Sequence, residues 1–119
     1  MTRVLLADQH PDIRLALAIL LKKEPGVIIV GSVSEAEGLL ALAKTAQPDI
    51  VILDSNLPGN PTENILTSLR CLDQPPKILL LSNSPTALLQ TYQANIDAIT
   101  GKNDPPEVLL EKFRALYPT

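Results

Sequence analysis

Four short, uninterrupted apolar runs limit most tightly what this chain can fold into. They are Val4-Leu5-Leu6-Ala7, Val27-Ile28-Ile29-Val30, Ile50-Val51-Ile52-Leu53 and Ile78-Leu79-Leu80-Leu81. None alternates polar with apolar residues, so each reads as a strand covered on both faces, as in a parallel sheet. Ala98-Ile99-Thr100 is a fifth candidate. Apolar stripes at helical spacing separate the runs: Ile13, Leu17, Leu20 and Leu21; Leu39, Leu40 and Ala43; Ile65, Leu66 and Leu69; Leu109, Leu110, Phe113 and Leu116. The segment from Ser84 to Gln93 carries only a weak stripe. Ser34 with Glu37 has capping-box spacing. Asn60-Pro61, Ser84-Pro85 and Asp104-Pro105 each set a capping residue before a proline at a first helical position.

Five strand-helix units in succession imply a parallel sheet with right-handed crossovers. The expected architecture is a flavodoxin-like, doubly wound α/β fold with strand order 2-1-3-4-5. Its ligand crevice opens at the carboxyl ends of strands 1 and 3, where the order reverses. A chain of 119 residues suits one such domain, residues 1–119, and 45% hydrophobic residues suffice for its core.

Asp8 ends the first strand and Asp54 the third, so the order brings them side by side. Ser82 ends the fourth strand and Lys102 follows the fifth, on the same edge. Neighbouring carboxylates repel unless a cation lies between them. Magnesium, an oxygen-seeking ion, is the natural candidate. A carboxylate beside a metal and a Lys can attack a phosphoryl donor while the cations neutralise the transferred charge. A hydroxyl at Ser82 can bond a phosphate oxygen and draw its loop inward. Singly, Asp8 and Asp54 read as turn or cap residues, Ser82 and Ser84 likewise, and Lys102 as a surface charge. Four such residues on one crevice read as a site. His10-Pro11 reads as the start of the first helix, without a catalytic role for His10.

Composition excludes several classes. The net charge of −3 and the lack of a basic run argue against direct nucleic-acid binding. No apolar run is long enough to cross a bilayer, and Met1-Thr2-Arg3-Val4 lacks the architecture of a signal peptide. The single Cys71 precludes an internal disulfide and fits a reducing, cytoplasmic setting. One His and one Cys leave little for zinc. A flavodoxin-type electron carrier would need FMN, and Asp8-Gln9-His10-Pro11 lacks the small and hydroxyl residues of a phosphate cradle.

Val4-Leu5-Leu6-Ala7-Asp8-Gln9-His10-Pro11 resembles the opening of two-component response-regulator receiver domains, particularly the branch joined to LuxR/NarL-type DNA-binding regulators. The segment from Pro48 to Gly59 resembles that family's phosphoacceptor strand and loop. Leu81-Ser82-Asn83-Ser84 resembles its switch loop, and Gly101-Lys102-Asn103-Asp104 its lysine loop. The resemblance implies a signalling module rather than an enzyme. Asp54 would accept a phosphoryl group from a histidine kinase or a small phosphodonor. Asp8, Asp54 and the Asn56 carbonyl would hold Mg2+. Ser82 would be the switch hydroxyl and Lys102 the phosphate-pairing cation. The surface of helix 4, strand 5 and helix 5 would then change, controlling an output domain or a homodimer. A C-terminal DNA-binding output domain is expected beyond this chain, which stops at Pro118-Thr119, about where a linker would begin.

Three positions depart from the family pattern. Gln9 replaces a second acid, so a ligand at that position is uncharged and magnesium is expected to bind more weakly. Ile99 stands where strand 5 usually carries the switch aromatic. Asn83 replaces a small residue beside the acceptor. These departures favour an alternative, a pseudo-receiver that binds partners without phosphorylation. A partner face built from Tyr92, Ile96, Ile99, Phe113 and Tyr117 is a further expectation, with core burial the competing account of Ile99 and Phe113.

Overall fold

The computed structural model describes residues 1–117; the Pro118-Thr119 stop lies outside the described residues. Its elements run β1 (Thr2–Ala7), α1 (Pro11–Lys22), β2 (Val27–Val33), α2 (Ala36–Ala46), β3 (Ile50–Asp54), α3 (Thr62–Arg70), β4 (Lys77–Ser82), α4 (Pro85–Tyr92), β5 (Ala98–Gly101) and α5 (Pro106–Leu116). The strands form one parallel sheet in the expected order, β2-β1-β3-β4-β5.

The unbroken apolar runs have a direct structural cause. Successive side chains of a strand point to opposite faces, and here both faces are covered. Leu5, Ala7, Val51, Leu53, Ile78 and Leu80 pack beneath α2, α3 and α4. Val4, Leu6, Ile50, Ile52, Leu79 and Leu81 pack beneath α1 and α5. These strand residues are between 0% and 4% exposed. Burying each larger aliphatic side chain contributes about 1.5–3 kcal/mol.

β2 departs from the expectation. It is longer than Val27–Val30 and lies at the sheet edge, so only one flank is paired, and Ile28 is 36% exposed. Its register against β1 shifts between Val4 and Leu5. Just beyond the shift, α2 closes onto Gly31. A Cβ on Gly31 would lie 2.3 Å from Leu42 Cδ2 and 2.8 Å from Leu5 Cδ1, so glycine is what lets helix and strand meet.

Several helix starts also differ. Glu35, not Ser34, caps α2, and its carboxylate accepts from the Glu37 and Gly38 amides at 2.8 and 2.7 Å. The capping box is therefore absent. α4 begins at Pro85 as expected, yet Ser84 makes no side-chain cap bond. α3 and α5 begin one residue later than expected, with Pro61 and Pro105 as the caps themselves. For α5 the reason is steric: a residue preceding proline is driven to extended ψ, and Pro105 precedes Pro106.

The partner face does not form. Ile96 and Ile99 lie in the core beneath α2, α3 and α4, while Phe113 lies in the core on the other side of the sheet. Phe113 is fully buried and packs against Tyr117 with ring centroids 4.9 Å apart. The Tyr92 hydroxyl donates to Glu63. Among the described residues, the large apolar side chains most exposed to solvent are Met1, Leu15, Ile19, Ile28 and Leu89.

Candidate functional site

The carboxyl ends of β1, β3, β4 and β5 bring the four expected side chains together. Asp8 directly follows β1, Asp54 and Ser82 close β3 and β4, and Lys102 directly follows β5. Asp8, Asp54 and Ser82 are each 1% exposed. The Lys102 Nζ stands 2.8 Å from Asp54 Oδ1 and 3.4 Å from Asp8 Oδ2. Its backbone amide donates to the Ser82 carbonyl at 2.9 Å, pinning the lysine loop to the end of β4.

One local device recurs at three of these positions. Asp8 Oδ1 accepts from the His10 amide at 2.8 Å, Asp54 Oδ1 from the Asn56 amide at 3.0 Å, and Ser82 Oγ from the Ser84 amide at 2.8 Å. Each is a side chain bonding the amide two residues on, the turn that Asp and Ser favour after a strand. The turns fix one acceptor and leave the rest of each group free. Asp8 Oδ2 and Asp54 Oδ2 are buried with no hydrogen-bond partner. The 3.4 Å approach of Lys102 to Asp8 Oδ2 is thus an ion pair without a directed hydrogen bond. Two buried carboxylates facing one ammonium leave an excess negative charge. Two orphan oxygens in such a place suit a cation or the donors of an incoming group.

Gln9 and Asn56 sit at the rim, both exposed. The Gln9 Nε2 donates to the Asn56 carbonyl at 3.2 Å. This contact ties together the loops after β1 and β3, and it engages the carbonyl expected to face a metal. Asn83 is exposed.

The sequence model of the response regulator receiver domain matches residues 4–114. The chain belongs to this family. Two curated relatives place it on the LuxR/NarL-type branch. The nitrate/nitrite response regulator NarP of Escherichia coli is 30% identical over 95% of this chain and 54% of its own length. NarL of the same species is 30% identical over 91% of this chain and 51% of its own length. The receiver domain thus spans about half the length of the curated relatives it matches. Among solved structures, a LuxR-family two-component response regulator from Aurantimonas superposes with a TM-score of 0.83 at 26% identity, covering 97% of this chain and 84% of that one. The chemotaxis response regulator CheY4 of Vibrio cholerae superposes at 0.86 with 24% identity, covering 98% and 99%, which speaks for the fold.

Two residues of the receiver pocket escaped the sequence reading. The His10 Nδ1 lies 2.8 Å from Asp8 Oδ1, so the ring joins its own backbone amide in holding that oxygen. The Arg14 Nη1 donates to the Asp8 carbonyl at 2.6 Å from the first turn of α1. The usable signal was the spacing Asp8-Gln9-His10-Pro11. An Asp two residues before a helix cap turns the backbone, and the turn carries the His10 ring back toward the carboxylate.

Proposed function

We propose that residues 1–119 form one receiver domain that accepts a phosphoryl group on Asp54 from a histidine kinase or a small phosphodonor. The observation that carries this reading is the buried Asp54 carboxylate. Its Oδ1 is held by the Asn56 amide and the Lys102 ammonium, while its Oδ2 has no hydrogen-bond partner. In the transfer, one oxygen of the Asp54 carboxylate forms a bond to phosphorus as the bond from phosphorus to the donor breaks, giving an acyl phosphate and the released donor, while its other oxygen stays available to a cation. Lys102 neutralises charge on the transferred group. Ser82 Oγ accepts from Ser84 and so keeps its own proton to donate to a phosphate oxygen.

Asp8 Oδ2, Asp54 Oδ2 and the Asn56 carbonyl are the oxygens that would hold Mg2+. The two orphan carboxylate oxygens fit that role, and the Asn56 carbonyl, which accepts from Gln9, has a second lone pair for it. The bound ion supplies charge neutralisation at the phosphoryl oxygens.

The Ser82–Ser84 turn couples the pocket to α4. Ser84 is the cap of α4, a helix with no buried residue, so drawing Ser82 toward a phosphate moves a weakly held element. The surface of α4, β5 and α5 would carry that change to an output domain, a DNA-binding one in the full-length protein, or to a homodimer. Ile99 is buried, so here the change runs without an aromatic swinging from β5. Membership of the receiver-domain family supports reading the chain as a signalling module rather than an enzyme. No helix among the described residues is long and apolar enough to cross a membrane, and a cytoplasmic setting suits a kinase partner.

The decisive experiment incubates the chain with magnesium and acetyl phosphate and reads the intact mass, with Asp54→Asn as control. A single phosphoryl adduct, lost in the control, is the expected result. No adduct with acetyl phosphate or a histidine kinase, in a chain folded by circular dichroism, would replace this reading with the pseudo-receiver. The Gln9–Asn56 bond favours that second reading, because it closes the rim without a metal.

A further inference from the structure

A cleft of about 480 Å³ opens between α1 and α5, on the face of the sheet opposite α2, α3 and α4. Ile13, Leu17 and Leu20 of α1 form one wall, Pro106 and Leu109 of α5 the other, and Leu81 of β4 the floor. A volume of this size, lined mainly by apolar side chains with a few polar groups, is typical of small-molecule sites. The fold does not seal the apolar lining. Ile19, which also lines the cleft, is 55% exposed, and Ala16 is exposed as well. From Ile13 to Lys23 the cleft follows α1 for about 15 Å.

The two ends of the cleft differ in charge. Lys23, directly after α1, lines one end and is exposed. Among the described residues no carboxylate pairs with it. The adjacent Glu24 does not compete for it, because that carboxylate accepts a forked pair of bonds from Arg114. Lys102 and Asp104 line the other end. There the Lys102 ammonium faces Asp8 and Asp54, and Asp104 Oδ2 accepts from the Gly101 amide at 2.9 Å. Three carboxylates outnumber one ammonium, so an anion is repelled at that end and attracted at Lys23. An apolar trough with a free cation at one end and excess negative charge at the other selects an amphipathic anion, and in one direction only. We propose that the α1–α5 cleft binds a medium-chain carboxylate, with the alkyl chain along the apolar walls and the head group on Lys23.

Binding here does not depend on phosphoryl transfer, so the test uses neither metal nor phosphodonor. The 119-residue chain is titrated with decanoate, below its micelle-forming concentration, by calorimetry and by amide NMR. Two variants are compared with the parent: Ala16→Trp, whose ring fills the cleft, and Lys23→Gln, which removes the cation. Both positions are exposed, and circular dichroism checks that each variant folds. Decanoate is expected to bind one to one and to shift amides of α1, α5 and the Gly101–Asp104 loop. Ala16→Trp should weaken it at least about tenfold. Lys23→Gln should weaken decanoate about threefold and leave the neutral analogue decanol unchanged. Octanoate should bind about tenfold more weakly than decanoate, since each methylene withdrawn from water is worth roughly fourfold. Unsaturable binding, or shifts scattered over the surface, overturns the site, as does undiminished affinity in Ala16→Trp. An equal effect of Lys23→Gln on decanoate and decanol overturns the placement of the head group. A dimer in sedimentation that Ala16→Trp disrupts and decanoate does not would mean that a second copy covers the cleft, and would overturn the proposal too.

Discussion

Asp8, Asp54 and Ser82 each satisfy two descriptions that the sequence treats as rivals. Each is a turn residue, bonding the amide two positions on, and each is also part of a converging pocket. The turn uses one oxygen and orients what remains, so the ordinary role is what prepares the special one. Gln9 shows how much one position changes. Its amide donates to the Asn56 carbonyl. Gln9→Asp would remove that donor, release the carbonyl and add a negative charge. Magnesium affinity should rise about tenfold, equivalent to about 1.4 kcal/mol. A calorimetric titration showing no gain would mean the rim does not face the ion. The pairing of Asp8 with Lys102 was legible from strand ends alone. The hold of His10 on Asp8 was not, because it depends on how the backbone turns between β1 and α1.

At the scale of elements, α2 and β2 meet through Gly31, and α5 is tied to the loop after α1 through Glu24. Gly31→Ala would drive a methyl group to 2.3 Å from Leu42 and 2.8 Å from the buried Leu5. The expected cost is about 1–3 kcal/mol by denaturant titration. Adding Leu42→Ala should recover part of it, and strict additivity of the two losses would contradict the contact. Glu24 accepts a forked pair of bonds from Arg114, at 2.6 and 3.0 Å. The hydrogen bond from Arg114 is the main cause holding the Glu24 carboxyl below its ordinary value of 4.5, with burial opposing it. A carboxylate with a lowered folded-state pKa contributes stability above its unfolded pKa and loses it as pH falls through the folded value. The stability difference between the parent and Glu24→Gln should therefore be constant above about pH 4.5 and shrink below it. A difference that grows on acidification would contradict the pair. Helix existence was legible here, but helix starts were less so. Ser34 and Glu37 had the right spacing, yet Glu35 took the cap, since only the tertiary path of the chain out of β2 decides which residue stands at the turn.

For the molecule as a whole, the two cores differ from α4 in how firmly they are held. β1, β3 and β4 are covered on both faces, while α4 buries no residue. Native-state hydrogen exchange should protect the central strands up to the global unfolding energy and leave α4 among the fastest helices to exchange. Equal protection of α4 and β3 would remove the weakly held element from the proposed switch. The same sheet explains what was readable in advance. Apolar runs without alternation require two covered faces, and five strand-helix units allow few parallel topologies, so class, strand order and the crevice followed from local pattern and chain handedness. The convergence of Asp8, Asp54, Ser82 and Lys102 followed because strand ends in that order share one edge. Edge and interior strands were not separable, for Val27–Val30 is as apolar as Ile50–Leu53, and only strand order exposes one flank of β2. The envisaged partner face failed for a related reason. Tyr92, Ile96, Ile99, Phe113 and Tyr117 are near in sequence, but Phe113 and Tyr117 pack on the opposite side of the sheet from the other three. Periodicity states how apolar a residue's surroundings must be. Which side of the sheet provides them, and which oxygen of a carboxylate stays free, is decided only when distant segments meet.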